Sequence, residues 1–418
     1  MIKKIHHCWW IMISCCLIMA CGLGLLFNCA GIFLVPVSET LGVGRGPLSF
    51  YLTIMNIVMT LTLPLAGKIL SKHHIGHVLT ICYAVNYALF ASLAFANSII
   101  HFYVVGVIMG FCSAFSMIMP VPIIINSWFK KKLGVVMGLV LAFSGIGGVV
   151  FNLIGSLVIE HYSWRIGYLT LAALGSLLVL PCTIFIVRSK PEDMGLRAYG
   201  AEENEAITPN STEQEMVPKV SFGIVFKVLP IFAAFAFTCA ITLAGALQNH
   251  IPAYSISLGY SSPIGGMAVS VVMAGIIACK IGIGYLHDRF GVVVAVLTGI
   301  TAGTIGAALL VFGGLGIGVL FAGAFLFGII PALTVVAPPL FVKKIAKSAE
   351  YNYILSYVNM GNTFFCAIGI SIYGFIFDLT KSYAACFVII FIMIAISYFT
   401  CLLTAYNGKD LGKVSHNC

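Results

Sequence analysis

Charge is what this chain has least of. Of 418 residues, 8% are Asp, Glu, Lys or Arg, against 61% that are hydrophobic, and the mean hydropathy is +1.08. That composition excludes a soluble globular protein and places the chain among polytopic membrane proteins. Acidic residues are the scarcer kind, 13 in all, and none lies well inside a long apolar run, so no intramembrane carboxylate offers a general base. HExxH, GxSxG and phosphate-binding glycine loops are also missing, which leaves an enzyme or a direct user of ATP without support. The 14 cysteines are scattered without a CxxC pair, in apolar settings where cysteine behaves as a small hydrophobe, so no disulfide framework, metal site or cofactor is expected. Net charge is +9, but the basic residues are spread over short loops instead of one face, which argues against nucleic acid.

What the chain has in abundance is long apolar runs. A membrane-crossing helix needs about 20 apolar residues, and that rule predicts spans near 8–36, 47–70, 77–97, 101–126, 133–159 and 165–187. A second set falls near 223–249, 263–286, 291–312, 314–340, 350–377 and 383–405. The runs do not alternate, so they read as helices and not as barrel strands. The first run is longer than a signal-peptide core and lacks a small-residue cleavage site, so it is read as a retained helix. With the N-terminus inside, 18 of the 22 Lys and Arg are cytoplasmic and three are outside, namely Arg45, Arg165 and Lys381. The positive-inside rule therefore predicts a multi-pass protein of the cell membrane with both termini cytoplasmic.

Residues 189–222 interrupt the pattern with Glu192, Asp193, Glu202, Glu203, Glu205, Glu213 and Glu215 among Pro, Ser, Thr and Asn. This stretch reads as a partly disordered cytoplasmic linker between two bundles, 1–188 and 223–418. The bundles look alike. Pro36, Leu41-Gly42-Val43 and Pro47 have counterparts in Pro252, Leu258-Gly259-Tyr260 and Pro263, and Pro120 and Pro122 before Lys130-Lys131-Lys132 match Pro338 and Pro339 before Lys343-Lys344. The expected fold is all-α, twelve transmembrane helices in two pseudo-symmetric six-helix bundles. Such repeats place a transporter's site near mid-membrane.

The remaining cation, Lys280, is the one formal charge well inside a span. It has no carboxylate in its own segment and lies eight residues, or ~12 Å, before Asp288. One reading is a snorkelling side chain; the other is contact with an anionic ligand, the default for an unpaired intramembrane charge. Polar residues recur at helical spacing elsewhere: Asn352, Ser356, Asn359 and Thr363; Thr238, Thr242, Gly245 and Asn249; Thr53, Asn56 and Thr60; Ser144, Gly148 and Asn152. Interhelical hydrogen bonding explains most of them. Asn28 and Asn359 stand out as full amides deep in spans. His250 and Tyr254, beside Pro252, could form a gate or act as headgroup anchors. Asp288 could cap a neighbouring helix. Gly106, Gly110, Gly145, Gly148, Gly282 and Gly284 are expected to let backbones approach closely where the halves meet.

The run Gly284-Tyr285-Leu286-His287-Asp288-Arg289-Phe290-Gly291 resembles the GxxxDRxG signature of the major facilitator superfamily. Its first-half counterpart, Gly67, Ser71-Lys72 and Gly76, lacks the acid. The chain further resembles the oxalate:formate antiporter and monocarboxylate porter group. The features that carry this are Trp128-Phe129-Lys130-Lys131-Lys132-Leu133-Gly134 with Met137-Gly138, Ser163-Trp164-Arg165, and Lys190-Pro191-Glu192-Asp193-Met194-Gly195-Leu196. The resemblance implies the major facilitator fold and a cation on the eighth span, four residues before a glycine, that contacts a substrate carboxylate; Lys280 and Gly284 fit. It also implies that Gly284, Asp288 and Arg289 serve gating. The oxalate exchanger carries a second cation on its eleventh span, and here none lies between Lys347 and Lys381, so a single carboxylate is expected.

The sequence therefore predicts a secondary transporter of a small organic anion, with Lys280 as the carboxylate contact and Asn28, Asn249, Asn359 and Ser356 around it. Coupling to protons or to a counter-anion is left open, and a monomer in the lipid bilayer is expected. An exporter of drugs or neutral solutes, or a non-transporting sensor of the same fold, is the alternative.

Overall fold

The computed structural model describes residues 7–72, 74–118, 120–129, 133–200, 228–345 and 351–406. The twelve apolar runs form helices long enough to cross a membrane, because in lipid a chain must satisfy its own backbone. In order they are α1 (His7–Leu41), α2 (Arg45–Leu63), α3 (Ile75–Phe95), α4 (Ile99–Trp128), α5 (Val136–His161) and α6 (Trp164–Ile186). Then come α7 (Leu229–Ser257), α8 (Ser262–His287), α9 (Val292–Val311), α10 (Ile317–Ile345), α11 (Ile354–Thr380) and α12 (Ala384–Thr404). Most of the expected linker, residues 201–222, lies outside the described residues, as does the expected start of the seventh span at 223–227.

The chain divides into two compact units. The first comprises Met1–Val43 and Phe50–Thr212, the second Gly44–Ser49 and Glu213–Cys418. The first turn of α2 thus groups with the second unit and the rest of that helix with the first. In the first unit α5 packs along α1, and α3 against α6 and α4; in the second, α7 packs on α10, α11 and α12, and α9 on α10.

Glycines set the tightest crossings. A Cβ on Gly24 of α1 would lie 2.9 Å from the backbone of Gly147 and Gly148 on α5, and one on Gly147 would run into the backbone of Ala20. The same stretch of α1, Ala20–Phe27, widens into a π-helical segment. On α4, Gly106 and Gly110 would place a Cβ 2.8 Å from Tyr51 O and 2.5 Å from Met55 O of α2. Both belong to the first unit, so these glycines pack a bundle internally and not between the halves as expected. In the second unit Gly275 of α8 and Gly328 of α10 meet the backbones of Phe325 and Val272 in the corresponding pair of helices. Among the described residues nothing lies within 4 Å of a Cβ added to Gly282 or Gly284, so neither marks a tight crossing inside the second unit.

The seventh span runs farther than its apolar pattern suggests, to Ser257 instead of 249. After the α-helical stretch Leu229–Gly245 it tightens to a 3-10 turn, Ala246–His250, and resumes as Ile251–Ser257 with Pro252 in the new first turn. Proline is tolerated there because the missing N–H would have no helical acceptor.

Candidate functional site

Lys280 projects from α8, seven residues before its end at His287 and so ~10 Å along the helix axis from it. It is half-buried, beside the buried Cys279. Among the described residues no hydrogen bond or ion pair reaches its ammonium. One turn along, on the same face, Gly284 borders open space. The second unit therefore presents an unpaired cation next to an unfilled stretch of helix surface.

The amides expected around it divide by role. In the first unit Asn28 is half-buried, its Nδ2 donating weakly to Ser144 O at 3.5 Å, while its own carbonyl accepts from Asn152 Nδ2 at 3.2 Å. Asn152 also donates to Gly148 O at 2.8 Å. Asn28 is thus tied into the α1/α5 contact. In the second unit Asn249 is buried in the 3-10 turn of α7, and Ser356 and Asn359 are exposed on α11. Among the described residues Asn359 supplies only its backbone carbonyl, to Thr363 Oγ1 at 3.0 Å, which leaves its side-chain amide without a partner there. The side chain of Asn352 lies outside the described residues.

Two residues here escaped the sequence reading. Asn362 takes a hydrogen bond from Thr242 Oγ1 at 2.8 Å and donates to Thr334 O at 3.1 Å, joining α11 to α7 and α10. Gln248, beside Asn249, has a buried Oε1 with no hydrogen-bond partner among the described residues. The signal for it was the polar triplet Gln248-Asn249-His250 in an otherwise apolar span. Asn362→Leu should remove both bonds and cost about 1–2 kcal/mol, at ~0.6 kcal/mol or more per interhelical bond, seen as a lower Tm in detergent. An unchanged Tm would show that Thr242 and Thr334 find other partners.

His250 and Tyr254 do not anchor in headgroups. Both are buried inside the second unit. His250 Nε2 pairs with Ile370 O at 2.7 Å, and Tyr383 Oη pairs with His250 Nδ1 at 3.4 Å. Tyr254 donates to Leu310 O and packs edge-on to Tyr383 and Phe387. Burial pushes the Tyr383 phenol up to about 12, against the pull of Arg45, so it remains a donor at neutral pH. The side chain of Asp288 lies outside the described residues. Arg289, also expected at the inner gate, is exposed and donates to Tyr285 Oη at 3.1 Å within its own helix.

The motifs that carry the resemblance to the monocarboxylate porter group are structural clasps in the first unit. Trp128 is fully buried and its Nε1 donates to Arg188 O at 3.0 Å, while its carbonyl accepts Tyr199 N at 2.9 Å. Trp9, Phe129 and Tyr199 close an aromatic cluster around that link. Asp193 caps its own turn at Lys190 N, and Gly195 ends the turn at φ +64°. At the N-terminus of α6, Trp164 Nε1 donates to Thr40 Oγ1 at 2.9 Å, and Arg165 reaches Ala94 O at 2.7 Å and Asn97 Oδ1 at 2.9 Å. The stretch Lys130-Lys131-Lys132 lies outside the described residues. A shallow cavity of about 310 Å³, lined in part by His74, His77, Arg188 and Asp193, includes none of the expected site residues.

Comparison with known proteins gives the context. The sequence model described as Major Facilitator Superfamily matches residues 16–337. A Saccharomyces cerevisiae protein named Probable transporter MCH2 is 25% identical over 186 residues, 44% of this chain and 36% of that one. Homo sapiens Monocarboxylate transporter 12 is 24% identical over 306 residues, 67% of this chain and 57% of that one. In both cases the match spans less than two thirds of the relative's own length. Among solved structures, the nucleoside transporter NupG superposes with a TM-score of 0.74 at 14% identity, over 94% of this chain and 99% of that one; this likeness is one of fold.

Proposed function

The chain belongs to the Major Facilitator Superfamily, and from that premise we propose that it is a secondary active transporter of a small organic anion carrying a single carboxylate. The observation that carries the proposal is Lys280, a half-buried cation two turns inside the end of α8 with no partner among the described residues. A lone charge held in a span is costly, and a carboxylate ligand would offset that cost. The similarity to a protein named Monocarboxylate transporter 12 points to the same substrate class. Asn249, Ser356 and Asn359 of the second unit would orient the anion.

In this reading the two six-helix halves rock to expose the site alternately, with both termini cytoplasmic in the cell membrane. Gly284, Asp288 and Arg289 would act at the cytoplasmic end and His250 and Tyr254 at the outer end. Either a counter-anion or a proton would couple the cycle.

Competition for uptake into proteoliposomes tests the substrate class. A dianion beside one cation leaves a charge uncompensated, which costs several kcal/mol, and each 1.4 kcal/mol is tenfold in affinity. Short monocarboxylates should therefore compete at least 100-fold better than oxalate, malonate or succinate at neutral pH, and uridine should not compete. Dominant competition by the nucleoside would replace the anion reading with a neutral-solute carrier. Equal competition by a dicarboxylate would require a second cationic contact.

A further inference from the structure

Asp378, the last acid of α11, does not point into solvent. Its Oδ1 accepts Arg45 N at 2.9 Å and its Oδ2 accepts Gly46 N at 2.7 Å, so one carboxylate closes the first turn of α2 from more than 330 residues away in the chain. The charge suits the place, since a helix start presents free N–H groups and the positive end of the helix dipole.

The surroundings are built to this contact. A Cβ on Gly44 would strike the Asp378 carboxylate, one on Gly46 would come within 2.5 Å of the Phe375 ring, and one on Gly374 would lie 2.8 Å from Gly46 Cα. Glycine on both sides is what lets α2 and α11 meet backbone to backbone. The Arg45 guanidinium lies 3.8 Å over the Phe377 ring and donates to Tyr383 Oη at 3.1 Å. Ile370 O can only accept and arginine can only donate, so a neutral His250 with its proton on Nε2 leaves Nδ1 to accept from Tyr383 and gives the chain of bonds one direction. It runs from Arg45 to Tyr383 Oη, from Tyr383 to His250 Nδ1, and from His250 Nε2–H to Ile370 O. This is why the first turn of α2, Gly44–Ser49, groups with the second unit, while the same helix from Phe50 onward groups with the first.

We propose that Asp378 is a latch: its carboxylate holds the start of α2 in the second unit, and every transport cycle breaks and remakes these two hydrogen bonds, with Arg45, Tyr383 and His250 holding the segment in register. A helix whose two ends group with different units cannot stay fixed to both if the units rock. The contact that yields is the short one, a single turn held by the Asp378 carboxylate and the Arg45–Tyr383 bond. The inference rests on the transporter reading for the existence of a cycle, while the latch itself is a property of the apo protein.

Hydrogen exchange of the full-length protein in nanodiscs, followed in peptides covering residues 44–50, tests it. In the wild type these amides should exchange at a measurable rate that changes at least threefold when a saturating monocarboxylate is added. Asp378→Asn keeps the shape but loses the charge and one acceptor, so exchange there should rise tenfold or more and no longer respond to the anion, with peptides from α4 unchanged. Tyr383→Phe, which keeps the ring and removes the link from Arg45 to His250, should give a smaller rise of two- to fivefold. Full protection of 44–50 in a wild-type protein that is transporting, or an unchanged rate in Asp378→Asn, would overturn the latch. Failure of the anion reading looks different: no wild-type uptake and no response to the anion, with the Asp378→Asn rise still present.

Discussion

Lys280→Gln is expected to lower monocarboxylate uptake by two to three orders of magnitude while leaving the protein inserted and folded. The two effects have opposite signs for one reason. With a neutral amide in place of the ammonium, a bound carboxylate would lose its only counter-charge, and an uncompensated charge in a low-dielectric site costs about 3–5 kcal/mol, or a hundredfold and more in affinity. For the apo protein the change removes an ion from an apolar span, where Lys at a helix centre costs ~2.5–3.5 kcal/mol on insertion scales, so the Tm should hold or rise. Lys280→Arg should keep part of the activity, because the charge survives on a bulkier, forked head. Uptake in proteoliposomes and thermal unfolding in detergent give the two readouts together. Undiminished uptake by the Lys280→Gln variant would end the assignment of Lys280 to the anion, and a falling Tm would mark it as a structural residue.

The second large effect concerns the fold. Gly147→Leu should leave less than a tenth of the protein monodisperse by size exclusion, because even the Cβ would occupy the space of the Ala20 backbone on α1. Overpacking a soluble core costs typically 1–3 kcal/mol and sometimes more. Here the obstructing atoms are backbone on both sides, since Gly24 comes equally close to Gly147 and Gly148, and neither helix can yield by changing a rotamer. Gly147→Ala should already lower the Tm. Gly138, on the same helix, is the control, because an added Cβ there meets nothing within 4 Å. Gly138→Ala should be neutral or stabilising by about 0.5–1 kcal/mol through helix propensity. If Gly147→Leu folded normally, α1 and α5 could not be as close as described.

Much of this architecture can be read directly from the residues. The number of spans follows from local hydropathy, because each helix must be apolar over a bilayer's thickness whatever it packs against. The repeat shows in paired prolines and lysines, and Lys280 stands out because a charge is anomalous in its own segment. The last turns of α7 do not show. Pro252 and the polar triplet before it argue for an end at 249, and only packing within the second unit carries the helix on to Ser257.

The partners of polar and small residues are illegible in one dimension. His250 and Tyr254 sit at a span end in either reading, and only the fold buries them behind Tyr383. Asn362 carries no signal of its own in the sequence, and its role emerges only when Thr242 and Thr334 are brought to it from two other helices. Asp378 reads as an ordinary end-of-helix acid, yet it caps a helix that starts at Arg45. Hydropathy is a property of each segment and its solvent, so the number of helices and the one charge out of place are already written in the chain. A hydrogen bond or a glycine contact is a property of two segments, so its partner is settled only when packing sets the helices side by side.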